Sequence, residues 1–164
     1  MLDSLQIKVL DILCHNARTP IEQIAAMLGI PTADAQQILE ELERQRVLVG
    51  YSALVNWDKV GREQVVAMIE VRVTPQSDMG FDEIASRLYR FDEVRSVYLM
   101  SGAYDLLLEV ESLTLRDLAS FVSQRLAAMD RVLSTSTHFV LKKYKVDGVL
   151  MEKTGDDPRL PVTP

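Results

Sequence analysis

Apolar residues recur at helical spacing three times within the first 46 positions. Leu2, Leu5, Val9, Ile12 and Leu13 lie on or near one stripe, which predicts a helix over residues 3–15. Asn16 and Ala17 interrupt the pattern. Thr19-Pro20-Ile21-Glu22 then gathers several helix-start signals. Thr19 is placed to cap free amides, Pro20 suits a first helical position, and Glu22 completes a capping box. Ile21, Ile24, Ala25 and Leu28 make the apolar face of this second helix. Gly29 supplies the permissive backbone that ends it, and Pro31 prevents its continuation. A third helix is predicted from Thr32 to about Arg46, with Ala35, Ile38, Leu39 and Leu42 at i, i+3, i+4 and i+7. Two short helices around a glycine-containing turn form a helix-turn-helix or simply part of a three-helix bundle. The run Val47–Val55 that follows is rich in strand-forming residues.

From Gln64 the period changes. A strand is predicted over about Val65–Thr74, a helix over Phe81–Arg90, and two strands on either side of Gly102. A helix over about Thr114–Met129 and a strand over Val132–Lys145 complete the order βαββαβ, a ferredoxin-like arrangement with both helices on one face of an antiparallel sheet. Val65, Ala67, Ile69, Val71 and Val73 share one face of the first strand, yet Val66 and Met68 on the other face are apolar too. Val97, Leu99 and Leu107 are assigned to that same second face. An apolar sheet face without helices of its own requires a partner, so these five residues are expected in a dimer interface. The divisions read from these patterns are residues 1–50, a linker strand over 51–63, a domain over 64–145, and a tail over 146–164. The tail carries turn formers without a clear period and is a candidate strap onto a neighbouring subunit.

The most informative stretch is YLMSGAYDLLLEVE, residues 98–111. A strand enters Ser101-Gly102-Ala103-Tyr104-Asp105 and leaves through Leu106, Leu108 and Val110 as a hairpin. This turn resembles the Gly-x-Tyr/Phe-Asp turn in the ligand-sensing domain of the Lrp/AsnC family of bacterial and archaeal feast/famine regulators. The block at residues 19–46 is similar to that family's helix-turn-helix. Val47-Leu48-Val49-Gly50-Tyr51-Ser52-Ala53-Leu54-Val55 resembles its "GxIxGYxAxV" passage into the strand that links two domains, except that Arg46 replaces the usual glycine. The resemblance runs from about Ile7 to Lys145. It implies an α+β chain, with an N-terminal winged helix-turn-helix for DNA and a C-terminal ferredoxin-like ligand-sensing (RAM) domain. It further implies an amino-acid effector, sheets paired face to face in dimers, and larger rings of dimers.

Composition sharpens this picture at one point and bounds it elsewhere. The net charge is −6 and the isoelectric point is near 4.9, which runs against phosphate contacts made by Lys and Arg. Residues 1–60 hold five basic side chains against eight acidic ones, a balance of −3. The third helix reads TADAQQILEELERQR, and positions where the family often places arginine hold Ile38, Glu40 and Glu41. The candidate DNA-contacting residues are therefore few: Arg18, Thr32, Gln36, Gln37, Arg44 and Arg46, with the two glutamines able to read adenine edges. Cys14 is the only cysteine and falls in a helical apolar pattern, and His15 and His138 lie in different modules. No metal site or cofactor is expected. The absence of an apolar run near 18 residues, or of a basic signal-like start, points to a cytoplasmic protein with no membrane partner.

The candidate effector site uses the same turn. Gly102 lets backbone approach a small molecule, and the amides around Ala103 and Tyr104 suit a carboxylate. Asp105 is a candidate acceptor for an α-amino group, or equally a turn residue that caps its own backbone. Ser134-Thr135-Ser136-Thr137 resembles the family's "TxT" segment near the effector, making Thr135 and Thr137 candidates, although Thr also simply suits strands. An orphan site that binds nothing stays open. Two other functions are compatible with the chain: a co-assembling subunit whose acidic helix has lost DNA affinity, and an enzyme resembling the siroheme decarboxylases. Two separated histidines and a charge of −6 serve a polycarboxylate tetrapyrrole poorly.

Overall fold

The computed structural model describes residues 2–62, 64–74 and 80–152. It divides into two compact units, residues 1–55 and 56–164. The first holds α1 (Ser4–His15), α2 (Ile21–Leu28) and α3 (Thr32–Arg44). Val9, Leu13, Ile24 and Leu42 form its centre, with Ile12, Ile21, Leu28, Ile38, Leu39 and Leu48 packed around them. The predicted apolar stripes are thus the faces that meet. Asp3 caps α1 in a reciprocal capping box with Gln6. The capping box expected at Thr19 does not form. Pro20 takes the cap position and the Thr19 hydroxyl donates to the Asn16 carbonyl instead, at 2.7 Å.

Both α2 and α3 end in a left-handed residue with paired backbone bonds from the next two amides. At α2 this is Gly29, φ 67°, with Ile30 N–H donating to Ala25 O and Gly29 N–H to Ala26 O. At α3 it is Arg46, φ 54°, with Val47 N–H donating to Leu42 O and Arg46 N–H to Glu43 O. A side chain in this conformation costs about 1 kcal/mol relative to glycine. Arg46→Gly should therefore raise the stability of this unit by about that much, read as a higher urea midpoint with unchanged slope. A lowered midpoint would mean that the helix does not end this way. Beyond α3 neither the β-rich run 47–55 nor the linker strand expected over 51–63 forms a strand among the described residues, and Trp57–Val60 is a 3-10 turn instead. Val47, Val49, Tyr51, Leu54 and Val55 are exposed there, because an extended segment becomes a strand only against another edge.

The second unit begins with a 3-10 turn, Trp57–Val60, and continues as β1 (Val65–Val73), α4 (Asp82–Leu88), β2 (Val94–Leu99), β3 (Leu106–Ser112), α5 (Leu115–Ser120) and β4 (Val132–Phe139). The strands lie in the order β2-β3-β1-β4, all antiparallel, so the βαββαβ expectation holds. The helix after Thr114 is not uniform. Thr114 caps α5 through the Asp117 amide, and from Phe121 to Leu126 the chain widens into a π-helical turn. This sets Phe121 and Leu126 into the core with Ile69, Val71, Leu88, Leu106, Leu108 and Leu118. Beside them the Arg125 guanidinium lies 4.5 Å from the Phe91 ring centroid and pairs with Glu93 at 2.5 Å.

Two boundaries differ from the sequence reading. β4 stops at Phe139 rather than Lys145. Part of what was read as an unpatterned tail is a hairpin, β5 (Lys145–Val146) and β6 (Val149–Leu150). Asp147 and Gly148 join its strands with φ of 46° and 82°, the two positive values that a tight two-residue hairpin turn requires. The end of the tail, residues 153–164, lies outside the described residues.

Candidate functional site

On α3 the residues opposite the core face are Ala33, Gln37, Glu40 and Arg44, flanked by Gln36 and Glu41. The predicted DNA contacts Gln36, Gln37, Arg44 and Arg46 are exposed, as are Thr32, the first residue of the helix, and Arg18 in the loop before α2. Two of the six are already engaged within the helix. Gln36 Nε2 donates to Glu40 at 2.8 Å. Arg44 grips the Glu41 carboxylate through Nε at 3.0 Å and through Nη2, and Gln45 donates to the same carboxylate. These contacts hold the Glu41 carboxyl below the usual carboxylate range, Arg44 being the larger cause. Arg18 and Arg46 have no ion-pair partner among the described residues. Just past the helix the Tyr51 hydroxyl donates to Glu43 at 2.8 Å. Partial burial and that carboxylate push its pKa up to about 12. The surface of α3 is therefore acidic, and the one cation at its centre is neutralised by its own neighbour.

The turn between β2 and β3 is a four-residue loop, Ser101–Tyr104, closed by Met100 N–H donating to Asp105 O at 2.8 Å. Gly102 has φ 155°, and a Cβ built on it meets nothing within 4 Å, so the loop is open on that side. Asp105 makes a tie that the sequence reading does not include. Its Oδ2 accepts from Val73 N–H at 2.9 Å, and its own amide donates to Val71 O at 3.1 Å. Rather than capping its own turn, it pins the loop to the end of β1. Arg72 adds a second tie, donating from Nε to Ala103 O at 2.7 Å.

Beside this loop lies an open pocket of roughly 230 Å³ lined by Glu70, Arg72, Ala103, Tyr104, Ser134, Thr135 and Ser136. The structure thus brings Ala103, Tyr104 and Thr135 together, while Gly102, Asp105 and Thr137 are not among the lining residues. Glu70 and Arg72 were missed, and Ser134 and Ser136 were named in the hydroxyl-rich run but not singled out. Their signal was present in the alternation of β1 and β4: Glu70 pairs with Ser136 and Arg72 with Ser134 across the two strands. His138 is the next residue on that face, 3.4 Å from Glu70.

The five residues expected on the sheet's open face do not share it. Val97 pairs with Leu108 and Leu99 with Leu106, which puts both in register with the helix-covered face. Val97 packs on the core there, and Leu99 is 61% exposed at the margin. Met68 and Leu107 are half-buried on the open face. Val66 is already buried within its own chain. Lys143 reaches Glu111, its cross-strand neighbour, so the segment after β4 passes beside it. The open face is also more polar than expected, since Glu70, Arg72, Glu109, Glu111, Ser96 and Ser136 alternate onto it.

Comparison with known proteins agrees with both units. Residues 2–49 match the family model described as winged helix-turn-helix DNA-binding, and residues 66–150 match the Lrp/AsnC ligand binding domain. YugG of Bacillus subtilis, named an uncharacterized HTH-type transcriptional regulator, is 50% identical over 96% of this chain and 95% of its own length. LrpA of Pyrococcus abyssi, also named an HTH-type transcriptional regulator, is 30% identical over 88% of this chain and its whole length. Among solved structures, the transcriptional regulator NMB0573 of Neisseria meningitidis in complex with L-Met superposes with a TM-score of 0.71 at 25% identity, covering 89% of this chain and 94% of that one. A helix-turn-helix module followed by a βαββαβ domain, matched over nearly its whole length by such relatives, makes this chain a member of the Lrp/AsnC family of DNA-binding transcription regulators.

Proposed function

We propose that this chain regulates transcription in the cytoplasm by binding operator DNA through α3 and its flanks, under control of a small amino acid sensed beside the β2–β3 loop. The observation that carries this reading is the pocket itself, set between a pinned loop and a hydroxyl-bearing strand in the domain that follows the DNA-binding module. Arg18 and Arg46 are the cations free to meet phosphates, Arg44 joining them only on leaving Glu41, with Thr32, Gln36 and Gln37 as the exposed polar residues of α3 for the bases. In the pocket Arg72 suits the ligand's carboxylate and Glu70 its ammonium, while Tyr104, Ser134, Thr135 and Ser136 offer hydroxyls. Asp105 acts by holding the loop in place. The methionine complex of the Neisseria regulator supports an amino acid as the class of ligand. Sheets paired across Met68 and Leu107 make the dimer, and dimers assemble further. The protein's task is regulatory rather than catalytic.

Thermal melting of the full chain against each of the twenty amino acids tests the sensing half. At least one should raise the melting temperature in proportion to RT ln(1 + [L]/Kd). Asp105→Ala should remove that response and also lower stability by about 1–3 kcal/mol, because the Val73 amide loses its acceptor. Arg72→Ala should weaken the response with a smaller effect on folding. A flat screen would favour a site that binds nothing. A second reading, a co-assembling subunit with weak affinity for DNA, is favoured by the Glu41–Arg44 pair. Mapping bound DNA across the genome separates the two.

A further inference from the structure

Recognition of a base edge needs a side chain that is exposed, central on the helix and free to present its polar atoms. On α3 only one residue meets all three conditions. Arg44 is central, but its guanidinium is held by Glu41. Gln36 lies at the flank, and its amide nitrogen is held by Glu40 one turn on. Glu40 is central and carries the wrong charge for a groove bordered by phosphates, and it has a partner in Gln36. Gln37 is exposed, lies on the central stripe, and makes no side-chain hydrogen bond among the described residues. One turn before it stands Ala33, also exposed, whose methyl leaves the approach to Gln37 open.

From this arrangement we infer that Gln37 is the residue that sets base specificity, and that it reads an adenine in each half-site. A glutamine amide carries a donor and an acceptor side by side, the complement of adenine N6 and N7 in the major groove. Guanine offers two acceptors there and calls for a free guanidinium or ammonium, which the central stripe of α3 lacks. The Ala33 methyl complements this on its own side of Gln37, since a small apolar group suits the methyl of thymine. The recognised step is therefore an A·T pair contacted by Gln37, in a half-site core without a guanine requirement. This assignment rests on the operator-binding reading above, and it separates two adjacent glutamines that sequence alone treats alike.

The test is selection of the full-length protein on a random double-stranded DNA library, followed by sequencing, for wild type, Gln37→Ala, Gln37→Arg and Gln36→Ala. Equal melting temperatures identify variants that fold as wild type does. Wild type should fix adenine at one position per half-site, and Gln37→Ala should flatten that preference by roughly fivefold or more at that position alone. Gln37→Arg should move the preference toward guanine. Gln36→Ala frees Glu40 and so shifts overall affinity, yet it should retain the adenine. The inference is overturned if Gln36→Ala loses the preference while Gln37→Ala keeps it, or if both variants keep the wild-type motif. A wild-type selection that enriches no motif overturns the operator reading along with it.

Discussion

Replacing Glu40 and Glu41 together by lysine should tighten the binding of non-specific duplex DNA at least tenfold per dimer near 0.1 M salt. The double substitution moves α3 by four charge units and does more than add cations. Glu41 is the partner of Arg44, so its removal also frees a guanidinium at the centre of the exposed stripe. Each additional phosphate neutralised steepens the fall of log K with log salt by about 0.9. Wild type, with Arg44 masked and with Arg18 and Arg46 as the unpaired arginines of the first unit among the described residues, should show a shallow slope. It should need several dimers on one stretch of DNA to hold firmly. Glu41→Gln separates the two contributions, because it frees Arg44 without adding a cation, and it should give a smaller gain. If the charge-reversed protein gains nothing, α3 does not face DNA. A steep wild-type slope would mean that a basic surface elsewhere makes the contact.

The sequence carried both modules because each rests on local periodicity. The stripes through Val9, Ile24 and Leu42, and the β1 alternation of Ala67, Ile69 and Val71, are patterns that packing then obeys. What failed depended on parity and on partners distant in sequence. The loop between β2 and β3 closes at Met100 and Asp105 around four residues, so an odd-numbered residue on β2 faces an even-numbered one on β3. A loop one residue longer or shorter would have put Val97 and Leu107 on one face, and nothing in the turn's composition fixes that count. The capping box at Thr19 and the turn-capping alternative for Asp105 failed for another reason. Each residue had several possible hydrogen-bond partners, and the chosen one, Asn16 or Val73, is known only after the chain is folded. The hairpin at Asp147-Gly148 was legible from its dipeptide alone, flanked by Val146 and Val149.

Met68→Lys should convert the protein from dimer to monomer at micromolar concentration, a loss of several kcal/mol of association energy. Met68 lies half-buried at the middle of the open sheet face, between Glu109 on β3 and His138 on β4. In a monomer an ammonium there sits beside the Glu109 carboxylate in water and costs little, so the fold survives. In a dimer closed across this face the same ammonium is taken out of water, and a second one enters the same interface from the other copy. Lysine is the better probe for this reason; a glutamate would meet Glu109 even before association. The proposed interface would be a mixed one, with Met68 and Leu107 as its apolar anchors among the Glu70, Glu109 and Ser136 that share the face. Leu107→Lys, beside Glu70, should act in the same direction. Light scattering after size exclusion reads the outcome. A wild-type monomer would overturn the dimer, and a dimer indifferent to both substitutions would place the contact between copies on another surface, the exposed run from Val47 to Val55 being the first to test.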